Sequence, residues 1–366
     1  MKSSRYPFGI GRTLVTAGVL GCLLAGCSVV GPTAIRSGRL AYNEAISETD
    51  NQQLLVEILN NRYQQIGSLL AVASVTANVS VTTGTNIELG VGDNDNYAGN
   101  LVPFSAGVAY EENPTISYVP VQGEKYSRQL MSPIPVASLA QLAGTLADPT
   151  HVYTTLVSSV NGIQNPGFLF SPDAPDPRFS RLVTIITTLS RANLLHWIEN
   201  PQHKGSFWVV IHHHAPRYLT EVSELLRLLG LPAPKDPSAQ VILPVSLALD
   251  GRDSGGIGII TRSVYSLVEL LSAAVAVPEA DQRSGVAASF PPAGLAAKEL
   301  RIHASTAKPK HASVAVQYRG SWFYIDDTDQ ATKRFFRLLG TLWSVTIAES
   351  AGKGSAAPVL TVPVSR

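Results

Sequence analysis

Cysteine is almost missing. The 366 residues contain two, Cys22 and Cys27. Both lie close to the start, so neither a disulfide framework nor a cysteine-based zinc site can organise the body. Charge is also sparse: 15% of residues are Asp, Glu, Lys or Arg, against about 25% in an average soluble domain. Together with 45% hydrophobic residues, this excludes a disordered chain and a coiled coil. The formal net charge is +1, so no basic field marks a nucleic-acid partner. No Walker-type loop, dinucleotide fingerprint, HExxH motif or internal repeat occurs, and no cofactor is expected. The length suggests two domains, either of which could bury a core.

The first residues supply what the composition does not. Lys2, Arg5 and Arg12 form a positive segment without an acid, and Thr13 to Leu24 is mostly apolar. Its 12 residues are too few for a membrane-spanning helix and suit the core of a secretory signal. The stretch ends in Leu24-Ala25-Gly26-Cys27. This tetrapeptide resembles the lipobox of bacterial lipoproteins, whose small residues fit the signal peptidase and whose Cys thiol receives diacylglycerol. Cys22 fits less well, because cleavage there would cut the apolar core short. The resemblance implies a signal peptide over 1–26 and lipidation at Cys27. Removing 1–26 turns the formal charge of +1 into −2, since three bases and no acids leave. The remaining chain then has no cysteine except the lipidated one. Ser28 stands where an Asp commonly retains lipoproteins at the inner membrane of diderm bacteria, which implies the outer membrane, facing the periplasm.

The body is expected to be α+β. Region 27–120 begins with a tether, then a helix through Leu40 to Ile46 and a second one capped by Thr49 or Asp50, with an apolar face of Leu54, Leu55, Ile58, Leu59 and Tyr63. From Ala71 the period changes to two. Ala71, Ala73, Val75, Ala77, Val79 and Val81 alternate with Ser74, Thr76, Asn78, Ser80 and Thr82, and the register continues to Val91. After the turn cluster 92–96, a return arm carries Val102, Phe104, Ala106, Val108 and Tyr110 on one face. This long antiparallel hairpin is either a ribbon over a soluble core or one segment of an oligomeric membrane barrel. A third strand, Thr115 to Val119, follows the Asn113-Pro114 break.

Region 121–200 reads as mainly helical: Gly123 to Met131, a helix capped by Ser138, one through Val152 to Val160, and a long one from Phe179 to Ile198. A proline-rich loop with Pro166, Pro172, Pro175 and Pro177 separates the last two. Region 206–366 reads as mixed α and β. Strands are expected at 206–213, 241–249, 256–260, 313–318, 321–325 and 359–364. Helices are expected at 217–229, 263–276 and 328–343. Arg319-Gly320 is a tight hairpin turn, and 279–311 is rich in Ala, Gly and Pro.

Three constellations could carry chemistry. His212 and His214 share one face of a strand end, with His203 as a third candidate ligand, and two imidazoles could hold a transition metal. A zinc site would add a carboxylate or histidine at clear spacing, and none is seen, so a polar strand end is the simpler reading. Asp253-Ser254-Gly255-Gly256 resembles part of the nucleophile motif of trypsin-like proteases, but Arg252 replaces a glycine and no histidine upstream sits in a matching motif. A turn between two strands accounts for it. Asp326-Asp327-Thr328-Asp329 could bind calcium, yet acids and Thr at a helix start satisfy its free N–H groups. No catalytic or cofactor-binding residues follow.

Fragments along the body resemble uncharacterised bacterial envelope lipoproteins. They are Tyr42-Asn43 with Ala45-Ile46, Leu54-Leu55, Arg62-Tyr63, Pro114 to Tyr118, Pro133-Ile134-Pro135, Tyr318-Arg319-Gly320 and Trp322 to Asp327. The resemblance brings no activity with it. The expectation is a lipid-anchored envelope protein, a non-enzymatic structural or assembly component such as part of an export system. The alternative is a periplasm-facing hydrolase or metal-binding protein. Expected partners are the membrane, through the N-terminal lipid, and a second copy of the chain or other envelope proteins, but not nucleic acid.

Overall fold

Between Arg39 and Gly67 the chain has neither glycine nor proline, and one helix, α1 (40–62), fills most of that stretch in the computed structural model. The structure describes residues 40–67, 69–76, 79–87, 104–112, 115–121, 124–146, 148–165, 176–212, 216–236, 238–290, 299–351 and 360–363. The break expected at Thr49 is not formed. The Thr49 hydroxyl donates to the carbonyls of Ala45 and Ile46, each at 2.9 Å, which keeps it inside a continuous helix instead of capping a new one.

The chain divides into two units, one made of 1–50, 70–120 and 355–366 and the other of 51–69 and 121–354. In the first, the alternating segment forms β1 (Leu69–Thr76), β2 (Val79–Ile87), β3 (Phe104–Glu112) and β4 (Thr115–Val121). β2 and β3 make the expected antiparallel ladder, with Val79 opposite Glu112 and Ile87 opposite Phe104. β1 pairs instead with β4, whose other edge takes the C-terminal strand Leu360–Pro363. The first arm of the expected hairpin is therefore two strands serving different sheets, while the return arm is β3 alone and β4 is the expected third strand. The turn cluster 92–96 lies outside the described residues.

The second unit contains α2 (Glu124–Met131), α3 (Val136–Thr145), α4 (Thr150–Leu156), β5 (Val157–Val160), β6 (Ile163–Gln164), α5 (Pro177–Arg191), β7 (Leu195–Glu199), β8 (Phe207–Ile211) and α6 (Leu219–Leu229). It continues with β9 (Val241–Leu247), β10 (Ile257–Thr261), α7 (Val264–Ala273), α8 (Glu279–Ser284), β11 (His303–Ser305), β12 (Ala312–Tyr318), β13 (Ser321–Asp326) and α9 (Gln330–Ala351). The architecture is α+β. A six-stranded sheet runs in the order β6-β5-β10-β9-β8-β7, and a smaller one in the order β11-β13-β12.

Two helices end earlier than their apolar spacing predicts. The helix expected through Val160 stops at Leu156, and the chain continues as β5. Buried Arg262 causes the stop: Nη1 donates to the carbonyls of Thr155 and Val157 at 2.9 and 2.7 Å, and the Arg262 N–H takes the Leu156 carbonyl at 2.8 Å. With these acceptors occupied, the helical ladder cannot propagate. Asn161-Gly162, both at positive φ, then turns β5 into β6, a dipeptide suited to that turn. The helix expected to reach Ile198 ends at Arg191, because Asn193 enters the left-handed region at φ +57°. Leu195 and Ile198 belong to β7 instead.

β9 and β10 are parallel, yet only residues 248–256 join them. So short a link suffices because the strands overlap only over Val245–Leu247 and Ile257–Ile259. The loop must also pack against itself. A Cβ on Gly251 would lie 2.4 Å from the Gly258 nitrogen, and one on Gly256 2.2 Å from the Pro244 carbonyl oxygen. The core of the unit joins Leu54, Leu55, Ile58 and Leu59 of α1, which match the expected face, to Leu267 and Leu271 of α7, Phe323 and Ile325 of β13, and Phe335 and Leu339 of α9, all at most 2% exposed.

Candidate functional site

Polar side chains concentrate where α1 ends. The helix closes in a left-handed turn at Gln64, φ +53°. The Gln65 N–H reaches the Asn60 carbonyl at 2.8 Å, and the Gln64 N–H reaches that of Asn61 at 3.3 Å. α5, α6 and α8 end in the same pattern, but on Asn193, Gly230 and Gly285. Glycine, and to a lesser degree asparagine, takes this conformation readily, whereas a longer side chain costs about 1–2 kcal/mol.

Around this turn the amides are held by hydroxyls. Tyr265 Oη of α7 donates to Asn61 Oδ1 at 3.1 Å, and Asn61 Nδ2 donates to Ser272 Oγ at 3.0 Å. Ser272 in turn donates to the Ile58 carbonyl at 2.9 Å. Tyr318 Oη, at the end of β12, lies 2.7 Å from Gln65 Oε1 and 3.1 Å from Asn60 Oδ1 and donates between them. Tyr63 Oη donates to Asp281 Oδ2 of α8 at 2.7 Å. The Arg319 guanidinium lies 5.2 Å from the centre of the Tyr63 ring, a cation–π contact that employs the side chain of another residue at positive φ, +48°. Arg62-Tyr63 and Tyr318-Arg319-Gly320, fragments far apart in sequence, thus meet here, with the Tyr63 and Tyr318 rings 5.5 Å apart.

Burial sets the electrostatics. It pushes the Glu57 carboxyl upward, against the bond from Asn60. It also raises the Tyr63 hydroxyl, helped by the bond to Asp281. The Tyr265 hydroxyl is raised by burial first and then by the charges of Glu269 and Glu57. Beside this network lies an open groove of about 590 Å³, within the roughly 300–1,000 Å³ of ligand clefts. Asn61, Gln64, Gln65, Tyr265, Glu269 and Phe290 supply most of its wall, and Ile66, Ala288 and Ser289 complete it. No family model, curated protein or solved structure matches the chain. Chemistry must therefore be read from the groove. Its described wall has amides, one carboxylate and two aromatic rings but no histidine or cysteine, a set that recognises hydroxyl and amide groups.

The residues expected to form sites fall elsewhere. Cys27 and His214 lie outside the described residues. His212 meets His196 of β7 rather than His203, with ring centroids 4.9 Å apart. His196 Nε2 is 3.1 Å from the Asn193 carbonyl oxygen, and His203 sits in the turn between β7 and β8, its carbonyl accepting from the Ser206 N–H at 3.1 Å. Among the described residues, no group of three His, Cys, Asp or Glu could hold a metal ion. Ser254 donates to the Gly251 carbonyl at 2.7 Å in the short turn before β10. Of the acids at 326–329, Asp329 caps α9, its Oδ1 accepting from the Thr332 N–H at 3.0 Å, Asp326 Oδ1 accepts from the Thr328 N–H at 2.8 Å in the turn before the helix, and Asp327 pairs with Lys333. The groove escaped the sequence reading because Asn60, Asn61, Gln64 and Gln65 follow an apolar face and resemble any exposed helix end. Only a long amide at the left-handed position, where glycine would be cheaper, could have signalled it.

Proposed function

We propose that the chain is a lipid-anchored protein of the cell envelope, held at the outer membrane and facing the periplasm, where it acts as a structural or assembly component and not as a catalyst. One observation carries this reading. Leu24-Ala25-Gly26-Cys27 closes a 12-residue apolar core preceded by three bases and no acid, the order of features that lipoprotein processing requires. The non-catalytic part draws support from the way Asp329, Asp326 and Ser254 are used, the first as a helix cap and the other two in turns. No helix among the described residues is long and apolar enough to cross a membrane; the attachment proposed is through the acyl chains on Cys27. Each buried CH₂ contributes about 0.8 kcal/mol, and more than one chain gives stable anchoring. Mass spectrometry of the mature N-terminus is the test. A diacylated Cys27 is expected, and Cys27→Ser should leave the precursor uncut and without acyl chains. An unmodified terminus at another residue would overturn the assignment.

A further inference from the structure

We propose that the groove at the end of α1 binds a neutral polyhydroxylated ligand, a short glycan, through the side chains of Gln64 and Glu269. The proposal stands on the groove and does not depend on the lipid anchor. Its first support is the cap itself. Among the described residues, four helices close with the same left-handed turn; three use Asn193, Gly230 or Gly285, and α1 alone of the four uses a long side chain, Gln64. The backbone gains nothing from that choice. Nor does the Gln64 amide have a compensating bond: it makes no hydrogen bond with any described residue, although it lines the groove. Arg319, the other long side chain held at positive φ nearby, has its reason in the Tyr63 ring.

Glu269 supplies the second observation. Its half-buried carboxylate faces the same groove one turn along α7 from Tyr265 and has no hydrogen-bond partner among the described residues. It is the one acidic or basic side chain of the described wall, so a ligand carboxylate or phosphate would face an acid there. A planar amide presents donor and acceptor side by side, which suits neighbouring hydroxyls, and a carboxylate accepts from two of them. Gln65 Oε1 accepts from the Tyr318 hydroxyl, which leaves its NH₂ to donate to a ligand. The ring of Tyr265, 36% exposed, offers an apolar surface to the C–H face of a sugar ring, whereas the Phe290 ring already carries the Arg62 guanidinium 5.0 Å from its centre. A peptide would instead call for an unpaired strand edge or an apolar helix groove, and this wall is made from a helix end, one face of α7 and a loop.

The test is calorimetric titration of the purified full chain with chitotriose and with maltotriose. Saturable binding of at least one is expected. Gln64→Gly should weaken it about fivefold or more, the loss of one neutral hydrogen bond, while the melting temperature stays the same or rises. Glu269→Gln should also weaken binding without lowering the melting temperature. Binding of neither sugar, equal affinity in both variants, or a lower melting temperature for Gln64→Gly would overturn the proposal, the last because the side chain would then have a structural role.

Discussion

The Asn161 side chain clamps Gly258: Oδ1 accepts the Gly258 N–H at 2.6 Å and the Gly251 N–H at 3.1 Å. Its Nδ2 donates to the carbonyls of Leu229 and Gly256 at 2.9 and 3.2 Å. One buried amide thus ties the β5–β6 turn to the end of α6 and to both ends of the loop that makes β9 and β10 parallel. Its donors and acceptor are all used, which is what a buried side-chain amide needs.

Asn161→Ala should therefore destabilise the second unit severely. It strands buried donors and acceptors at about 1–3 kcal/mol each and puts Ala at φ +43°. We expect a loss of about 3 kcal/mol or more in urea denaturation. Asn161→Asp should also be costly, because a carboxylate cannot donate to Leu229 and Gly256. A variant as stable as the parent would show that the loop is held by other contacts.

Stability should fall at high pH. Burial raises the hydroxyls of Tyr63, Tyr126 and Tyr153 above the ordinary tyrosine value, with the Tyr63 shift reinforced by Asp281 and the Tyr153 shift opposed by the bond from Trp197. The unfolded chain then loses these protons first, above about pH 10, and fewer protons on the unfolded state means declining stability as pH rises. Their contribution is complete below that pH. Urea midpoints measured from neutral to alkaline pH should drop there, and the ultraviolet signal of tyrosinate should appear for these side chains together with unfolding. Tyr153→Phe should flatten the decline while lowering neutral stability by about 1–3 kcal/mol, because Trp197 Nε1, now 2.8 Å from the Tyr153 hydroxyl, loses its acceptor.

The His196–His212 pair should hold no metal ion. Purified protein dialysed against a chelator should retain no stoichiometric zinc or nickel, and His196→Ala combined with His212→Ala should change the melting temperature little. One tightly held equivalent that disappears in the double variant would favour the metal-binding reading over the envelope-scaffold one.

Local physics made much of this chain legible. The period-two stretch marked β1, β2 and β3, because a pleated strand shows its alternation in the residues themselves, and Arg319-Gly320 marked the turn between β12 and β13. The apolar spacing at 54, 55, 58 and 59 marked the buried face of α1, and the acids at 326–329 marked the start of α9. The Leu24 to Cys27 tetrapeptide is likewise a feature of sequence alone. Where helices stop was decided elsewhere. Val157 to Val160 continues a helical spacing, and only the guanidinium of Arg262, about a hundred residues on, removes the carbonyls that the helix would need. The groove depends still more on the fold. Gln64, the Tyr265–Glu269 pair of α7 and Phe290 come from three separate parts of the chain, and no spacing rule links the three. Their proximity arises only once the α1 face has packed against α7 and its cap has turned the chain, since side-chain geometry across distant segments is fixed by tertiary packing and not by local propensity.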